Sequence, residues 1–336
     1  MVKRTPSMLD VASLAGVSHQ TVSRVVNGHS SVKESTRLKV ESAMQDLGFR
    51  PSRAARSLVT GRSAMIGVLS HDTTLWGPAS VLHAVQSAAR ELGFTVALIS
   101  LKSIYPAAVL AGLEEFANIG VEGVVIIAPQ TVEYEVLRKI PGNLPAVIIE
   151  GEESRGMPSV EVDQIQGAVI ATEHLIALGH RNIAHISGPS NWFASQARKN
   201  GWQQAMNQAK LKAVHCMEGD WSPKSGYLAT KEILKTRAIT AIFSGNDEMA
   251  LGAYRAINEA GLSIPGDISL VGFDDIPTSA YFAPSLTTVR QDFDQCGHVA
   301  LTVLLKMVRR ERIQAKKILV APELIVRKST AKPLRK

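Results

Sequence analysis

A short segment near the amino terminus places hydrogen-bonding side chains on the outer face of a helix. In SHQTVSRVVNG, three valines share one side, so His19, Gln20 and Arg24 point away from it. Gln and Arg side chains can each make paired hydrogen bonds to a base edge in the major groove of DNA. The shorter polar side chains, which suit phosphate oxygens, belong to Ser18, Thr21, Ser23 and Asn27. The pattern predicts a helix that contacts DNA, with a structural three-helix cap as the alternative.

A second group of polar residues follows apolar, strand-like runs. Glu150 follows AVII, Asn246 follows AIFSG and Asp274 follows LVGF. The carboxyl ends of parallel strands meet at the same edge of a sheet, where such folds bind ligands. We therefore expect these carboxylates and this amide at the edge of a cleft.

An arginine and two tryptophans extend this second group. Arg198 shares a helical face with Trp202, and Trp221 lies in a loop. Carboxylates, an amide, a guanidinium and flat rings suit a sugar, which offers hydroxyl groups and an apolar C–H face. The alternatives are a turn at Asp274, core positions for the tryptophans, and an interlobe salt bridge or an Asx turn for Arg198 and Asn246.

The motifs of several enzyme classes are missing from the sequence. It holds no HExxH, GxSxG, GxxxxGK[ST] or GxGxxG, which argues against zinc peptidases, serine hydrolases, P-loop proteins and dinucleotide-binding enzymes. A sugar-processing enzyme with Glu150 and Asp274 as paired carboxylates is an alternative. We expect a protein that is not an enzyme and needs no cofactor or metal.

Positive charge is concentrated at the amino terminus. Residues 1–63 contain ten Lys or Arg and four Asp or Glu, whereas residues 64–326 contain 22 and 26. Clustered cations favour a polyanionic partner, because they release counterions from phosphates. This basic head, residues 1–63, is predicted to bind nucleic acid, with a merely solvated charged surface as the alternative.

Length and composition fit a folded, intracellular protein. The 336 residues are 45% hydrophobic and 20% charged, which allows two or three packed domains and argues against a disordered chain. Cys216 and Cys296 form no Cys-x-x-Cys pattern, which favours a reducing compartment. The sequence shows no signal peptide and no apolar stretch of about 18 residues. A cytoplasmic location is expected, and a transport-type binding protein is disfavoured.

Local signals predict three helices in the head. Their bounds are about Ser7 to Gly16, Ser18 to Gly28 and Glu34 to Gly48. Ser7 and Asp10 have capping-box spacing, and Ser18 is a good N-cap. The predicted inward residues are Leu9, Ala12, Leu14 and Ala15, then Val22, Val25 and Val26, then Leu38, Val40, Met44 and Leu47.

From Met65 onward, β-branched runs alternate with helical patterns, which is typical of βαβ units and parallel sheets. The predicted strands are 65–69, 95–101, 123–128, 146–150, 182–187, 213–217, 241–244, 268–273, 286–289, 318–321 and 323–326. The predicted helices are 78–92, 107–119, 131–139, 164–178, 193–209, 223–236, 246–260 and 292–310. Two doubly wound sheets in succession predict two lobes with a cleft between them.

The head resembles a known family. DVASLAGVSHQTVSRVVN, with the turn Gly16-Val17-Ser18, is similar to the helix-turn-helix of the LacI/GalR family of bacterial repressors. The resemblance implies a homodimer on a pseudo-palindromic operator, with His19, Gln20 and Arg24 at the bases. Lys33 departs from the family, which often has Ser before the third helix, and this affects only the capping of that helix.

The Arg-rich connector between head and body is similar to the hinge of the same family. The family places in PSRAARSLVTG a helix that folds on DNA and inserts a leucine into the minor groove, where it kinks the duplex. The resemblance assigns the inserted side chain to Leu58, flanked by Arg53, Ala55 and Arg56. An ordinary linker contact is the alternative for Leu58.

The body resembles the effector domain of sugar-responsive members, in SGPSNWFASQARKNGW, GNDEMALGAYRAINEAGLSIPGDISLVGFDD and LTTVRQDF. The implied effector-binding residues are Arg198, Trp221, Asn246, Asp274 and Gln291, together with His71, Asp72 and Glu150. Glu150 stands in place of aspartate, His71 and Asp72 in place of serines, and Ile127 in place of an amide. Galactose or a β-galactoside is favoured as the effector. The alternatives are another effector, a sugar phosphate, or a corepressor such as a purine.

The resemblance implies an α/β chain with an all-α helix-turn-helix domain and a two-lobed, periplasmic-binding-protein-like domain that contains two doubly wound parallel sheets. The expected domains are 1–51 (DNA-binding), 52–63 (hinge helix), 64–330 (effector binding and dimerisation) and 331–336 (basic tail). The expected subdomains are about 64–163 with 292–321, and about 164–290 with 322–330. No apolar heptad segment follows Arg327, so we expect a dimer without a tetramerising helix. Sugar binding is expected to release DNA.

Overall fold

The computed structural model describes residues 6–50, 61–71, 73–101, 105–127, 144–151, 157–236 and 238–334. The chain divides into two compact units, Met1–Ala64 and Met65–Lys336. The first unit contains the predicted head, and the second contains the predicted sheets. The finer domain boundaries stay predictions.

The head is formed by α1 Met8–Ala15, α2 His19–Val26 and α3 Glu34–Leu47. A capping box starts α1, because the Asp10 N–H donates to Ser7 Oγ at 3.4 Å and the Ser7 N–H donates to Asp10 Oδ2 at 2.7 Å. Gly16 ends α1 in the left-handed region at φ +64°. Ser18 caps α2 by accepting from the Thr21 N–H at 3.2 Å. The three predicted helices are confirmed.

The core of the head differs in part from the predicted one. Its buried apolar residues are Val11, Ala12, Val22, Val25, Val40 and Ala43. The inward placement predicted for Leu9, Leu14 and Leu38 is wrong, because they are 65%, 54% and 57% exposed. In α1 the packed residues are 8, 11, 12 and 15, which form one helical stripe that excludes both leucines.

The second unit contains two sheets, each of six strands within the described ranges. The strands are β1 Met65–His71, β2 Thr95–Leu101, β3 Gly123–Ile127, β4 Ala146–Ile149, β5 Ser159–Val162, β6 Ile183–Ser187, β7 Cys216–Glu218, β8 Ala241–Ser244, β9 Ser269–Asp274, β10 Thr287–Arg290, β11 Lys317–Val320 and β12 Glu323–Ile325. The spatial orders are β11-β5-β4-β3-β1-β2 and β12-β10-β9-β8-β6-β7. The paired strands are parallel, apart from β10 with β12. The sheets with their helices are called lobe 1 and lobe 2, respectively.

Helices cover both faces of each sheet. They are α4 Trp76–Glu91, α5 Pro106–Ile119, α6 Gln164–Ala177, α7 Phe193–Gln208, α8 Pro223–Ile233, α9 Asp247–Glu259 and α10 Phe293–Val308. In β3, Val125 and Ile127 pack on one side of the sheet, while Val124 and Ile126 pack on the other. Burial on both faces explains why these strands are continuous apolar runs.

The structure corrects two strand predictions. The sequence pattern does not predict β5, and it places β7 at 213–217 rather than at Cys216–Glu218. The predicted helix 131–139 and hinge residues 52–60 lie outside the described residues. The chain passes between the sheets after β5, after β10 and after β11, so a site at this junction draws on both lobes. No helix in the described ranges is long and apolar enough to cross a membrane.

Candidate functional site

The outer face of α2 presents the three side chains predicted to contact bases. His19, Gln20 and Arg24 are exposed, and within the described residues their side chains make no hydrogen bond or ion pair. The opposite face buries Val22 and Val25. A row of uncommitted donors and acceptors on a short, exposed helix fits the major groove of a duplex. Their roles as base contacts stay predictions.

The four side chains predicted to contact phosphate make local hydrogen bonds. Ser18 Oγ and Thr21 Oγ1 are 2.9 Å apart, and Asn27 Nδ2 donates to Ser23 Oγ at 3.4 Å. Each hydroxyl keeps capacity for a second partner, so these residues can hold α2 together and still contact a phosphate. The predicted hinge residues outside the described part of the chain are Arg53, Ala55, Arg56 and Leu58.

A cavity of about 570 Å³, measured with its opening to solvent, lies at the junction of the two lobes. Its lining combines a few polar side chains with a larger number of apolar and aromatic ones, as is usual for small-molecule sites. Its polar lining residues are Glu150, Arg198, Asn246, Glu248, Asp274 and Gln291. Its larger apolar and aromatic lining residues are Leu75, Trp76, Pro78, Val81, Ile127, Trp192, Trp221 and Phe293.

Three of the predicted cavity residues have a strained backbone. Glu150, Trp221 and Asp274 have φ angles of +57°, +71° and +111°, in the left-handed region that side chains other than glycine rarely adopt. Glu150 directly follows β4, and Asp274 ends β9. Such strain persists only where the surrounding structure imposes it, and it clusters at ligand sites.

Arg198 organises the polar wall of lobe 2. Its Nε donates to Gln164 Oε1 at 2.9 Å, and its Nη1 donates to the Gly245 carbonyl. Its Nη2 lies 3.5 Å from Asp274 Oδ1, and its guanidinium carbon lies 3.8 Å from the centre of the Phe273 ring. Burial lowers the pKa of Arg198, and the carboxylates of Asp274 and Glu150 oppose this shift. The guanidinium therefore stays charged and holds its acceptors in place.

Glu150 is connected to lobe 2 through Gln164. The Val162 N–H donates to Glu150 Oε1 at 3.1 Å, and Gln164 Nε2 donates to Glu150 Oε2 at 3.0 Å. Gln164 Nε2 also donates to Gln291 Oε1 at 2.7 Å, and Gln291 Nε2 donates to Asp274 Oδ1 at 2.6 Å. Sequence reasoning missed Gln164, which begins α6 just after β5, the strand that the sequence pattern does not predict.

Burial raises the pKa values of the cavity carboxyl groups. The pKa of Glu150 rises to about 7, and that of Asp274 rises to about 6 although Arg198 opposes the change. Burial also raises the pKa of Asp247 well above its ordinary value, and the neighbouring Asp274 adds to this. The net charge of the cavity therefore changes as Asp274 and Glu150 titrate at about pH 6 and about pH 7.

Asn246 caps a helix and also lines the cavity. Its Oδ1 accepts from the Met249 N–H at 2.8 Å and so caps α9, while its Nδ2 donates to the Trp221 carbonyl at 3.1 Å. The Asn246 side chain that caps the helix also lines the cavity. The same residue therefore stabilises a helix start and positions the loop that carries an aromatic wall.

The tryptophans divide between cavity and core. Trp192 and Trp221 line the cavity with ring centroids 5.7 Å apart and planes at 74°. The Trp221 indole N–H is buried and has no partner within the described residues. Trp202 is fully buried, 5.5 Å from the His185 ring. The core alternative therefore holds for Trp202. Trp221 belongs to the apolar core of lobe 2 and also lines the cavity.

The predictions for His71 and Asp72 have different outcomes. His71 ends β1, and its Nδ1 lies 3.1 Å from the Leu101 carbonyl. Within the described residues His71 does not line the cavity, and Asp72 lies outside them. Sequence reasoning also missed the apolar wall that includes Val81 and Phe293, because apolar periodicity does not distinguish a cavity wall from a core.

The carboxylates of the cavity are arranged for binding. Glu150 and Asp274 each accept hydrogen bonds from neighbouring protein groups, which fixes their orientation. In the described part of the chain, no group of three or more His, Cys, Asp or Glu side chains could hold a metal ion.

Each of the two units matches a known protein family in sequence. Residues 7–52 match the profile of bacterial regulatory proteins of the lacI family, and residues 172–330 match a periplasmic binding protein-like domain. The lactose operon repressor of Escherichia coli (strain K12) is 35% identical over 97% of this chain and 91% of its own length.

The chain belongs to the LacI family.

Other members of the LacI family are similarly close in sequence and fold. The transcriptional repressor PurR of Proteus mirabilis (strain HI4320) is 35% identical over 96% of this chain and 96% of its own length. The lac repressor dimer bound to operator and the anti-inducer ONPF superposes with a TM-score of 0.88 at 34% identity, covering 98% of this chain and 100% of that one. The transcriptional regulator CelR in complex with cellobiose gives a TM-score of 0.69 at 28% identity, covering 96% and 99%.

The predicted family and fold class are thereby confirmed. The chain is a DNA-binding transcriptional repressor of the LacI family, and it is not an enzyme, since its relatives are repressors. The paired-carboxylate enzyme that the sequence left open is therefore set aside.

Proposed function

We propose that this repressor binds a pseudo-palindromic operator as a homodimer and releases it when a sugar, galactose or a β-galactoside, enters the cavity. The main support is the cavity lining, which contains six of the eight predicted effector residues; they are Glu150, Arg198, Trp221, Asn246, Asp274 and Gln291. Each sugar hydroxyl both donates and accepts, so it suits a wall of carboxylates, amides and a guanidinium. The Trp221 ring provides a face for the apolar side of the sugar.

On the DNA side, we propose that His19, Gln20 and Arg24 contact base edges in the major groove. The proposed phosphate contacts are Ser18, Thr21, Ser23 and Asn27. The proposed minor-groove hinge consists of Arg53, Ala55, Arg56 and Leu58. Since a bacterial chromosome lies in the cytoplasm, we place the protein there.

An exposed surface of lobe 2 supports the homodimer. Leu251 is 47% exposed and Tyr281 is 87% exposed, and both line a groove with Phe282. Exposed apolar patches of this kind mark protein contacts, and the similar lac repressor forms a dimer on its operator. Two heads related by a two-fold axis match the symmetry of a pseudo-palindrome.

The proposed coupling between sugar and operator depends on the junction of the lobes. A ligand shifts an equilibrium between two arrangements only if it binds one of them more tightly. The cavity draws on both lobes, so a sugar that bridges them stabilises one relative position. We propose that this position disfavours the folded hinge, with a coupling free energy of about 1–3 kcal/mol.

The test measures operator affinity by fluorescence anisotropy at fixed salt, with duplexes from the protein's own promoter region. Galactose or a β-galactoside should weaken binding of the wild-type protein. Asp274→Asn should leave sugar-free operator binding unchanged and reduce the sugar effect, because it removes the charge that holds Gln291 and Arg198. Tighter operator binding with sugar would show that the proposed sign is wrong.

A corepressor such as a purine is the second candidate. The similarity to PurR equals that to the lactose operon repressor in sequence identity, at 35%, and the rings of Trp192 and Trp221 could also stack on a planar base. Calorimetry with galactosides, other sugars and purine bases separates the candidates. A purine that binds and tightens operator binding would replace the sugar proposal.

A further inference from the structure

Gln164 joins the two lobes without lining the cavity. It is the first residue of α6, next to the crossover from β5, and it is 6% exposed. Its Nε2 donates to Glu150 Oε2 and to Gln291 Oε1, while its Oε1 accepts from Arg198 Nε. One side chain therefore contacts Glu150, which follows a strand of lobe 1, and Arg198, which lies on a helix of lobe 2.

The amide of Gln164 matches the needs of its three partners. An amide offers two N–H donors and one oxygen acceptor, and here both kinds of group are in use. A carboxylate at this position would place an acceptor against the acceptors of Glu150 and Gln291. A hydrocarbon would remove one hydrogen bond from each of the three partners at a buried position, which is costly.

We propose that Gln164 is a positioning residue for effector binding: its amide holds Glu150 against Arg198 across the junction and thereby sets the cavity shape that the effector meets. The inference rests on the proposed function, because it assumes that the cavity binds the effector. Gln164 acts through residues that line the cavity, since it is not itself among them. Its loss should therefore change effector affinity although no contact to the ligand is removed.

A pH profile separates positioning from general stabilisation. Glu150 titrates near neutral pH, with a pKa of about 7. The titratable groups that face it are Glu161 on β5, Arg198 on α7 and the Cys296 thiol on α10. A second carboxylate at position 164 would compete with Glu150 for a proton. That proton would supply the donor that the amide provides in the wild type.

The experiment compares Gln164→Glu and Gln164→Met with Gln166→Glu, which makes the same charge change at an exposed position of the same helix. Calorimetry measures β-galactoside affinity from about pH 5.5 to about pH 8.5, over which Glu150 titrates. Gln164→Met should weaken binding at least about tenfold at every pH, since hydrogen bonds to charged groups are lost. Gln164→Glu should weaken it as much at high pH and recover in part at low pH. Gln166→Glu should match the wild type.

A second measurement needs no ligand. The Val162 N–H donates to Glu150 Oε1, so hydrogen exchange of a peptide that contains Val162 reports whether Glu150 is held. Exchange at this site should be faster in Gln164→Met than in the wild type, and unchanged in Gln166→Glu. This readout stands even if the wild type binds no galactoside, in which case the sugar proposal fails and the positioning role is judged separately.

Two outcomes would overturn the positioning role. One is a Gln164→Glu protein with the affinity and the pH profile of Gln166→Glu. The other is equal exchange at Val162 in Gln164→Met and the wild type. If Gln164→Met does not fold, as judged by its melting transition, the comparison of Gln164→Glu with Gln166→Glu decides the question.

Discussion

The head and the cavity hold their polar side chains in opposite ways. On α2, His19, Gln20 and Arg24 are exposed and make no side-chain bonds within the described residues. In the cavity, Arg198 and Asp274 are buried and bonded to neighbours. The first arrangement suits a large partner that supplies every contact, and the second suits a small ligand that meets an existing network. Substitutions of these three α2 side chains should therefore change binding alone, whereas those of Arg198 and Asp274 should change binding and folding together.

The largest expected effect is a loss of unfolding free energy in Arg198→Met. The substitution leaves Asp274 without its ion pair and Gln164 and the Gly245 carbonyl without a donor, all at buried positions. Removing one partner of a buried ion pair costs about 3–5 kcal/mol of unfolding free energy. Urea denaturation should show this loss, and calorimetry should show no sugar binding.

The matched control for this change is Lys235→Met. Lys235 is paired with Glu232 at 2.7 Å, and both side chains are more than half exposed, so its loss should leave the urea midpoint unchanged. If Arg198→Met and Lys235→Met had the same midpoint, the cavity network would not contribute to folding, and the contrast between the two regions would be lost.

The next largest effect is a difference in the pH dependence of stability between Glu150→Gln and the wild type. Burial raises the pKa of Glu150 from 4.5 to about 7, so the folded state holds this proton more tightly than the unfolded state. The stability linked to it is fully present below about pH 4.5 and is lost as pH rises through about 7. Glutamine mimics the protonated acid. Glu150→Gln should match the wild type near pH 4.5 and exceed it above pH 7 by at most about 3 kcal/mol. Parallel stability curves for the two proteins would contradict the raised pKa.

Local signals account for what the sequence predicted well. The capping box of Ser7 and Asp10 and the N-cap Ser18 involve neighbours within one helical turn, so the bounds of the head helices follow from sequence. The carboxyl ends of parallel strands share one edge. That rule predicted that Asn246 and Asp274, at the carboxyl ends of the adjacent strands β8 and β9, would share one edge of the lobe 2 sheet. Glu150 follows β4 of lobe 1 and meets them in one cavity because the cavity draws on both lobes.

The remaining features depend on distant partners. Gln164 bonds to Gln291, which lies 127 residues further along the chain, and no local pattern indicates this pairing. Val81 and Phe293 line the cavity and also belong to the core of lobe 1, so their apolar pattern indicates only a core. The exposure of Leu9 and Leu38 reflects which stripe of each helix the small bundle buries. Composition and periodicity do not contain that information.

In the head, Arg24→Ala should affect DNA binding alone. Arg24 is exposed and lies in the last turn of α2. If it contacts a base, its loss should cost about 2 kcal/mol of operator binding and relax the preference at one base pair. Anisotropy with single-base operator variants measures both effects, and urea unfolding should be unchanged. Lys39→Ala removes the same charge from an exposed position of α3 and should keep the base preference. Equal preference in all three proteins would remove Arg24 from base recognition.

The smallest effect is expected at the start of α3. Lys33 occupies the N-cap position there and makes no side-chain cap hydrogen bond. Lys33→Ser would supply a hydroxyl acceptor for a first-turn N–H and should stabilise α3 by about 0.5–1 kcal/mol, while Ser18→Ala should destabilise α2 by a similar amount. Hydrogen exchange of peptides from each helix measures both. Unchanged exchange in α3 would mean that the first-turn N–H groups are already satisfied by water.

Slower exchange in Lys33→Ser with an unaltered base preference would show that the head can be stabilised without changing its DNA-binding face. The cavity does not permit this separation, because there the same hydrogen bonds hold the fold and shape the site.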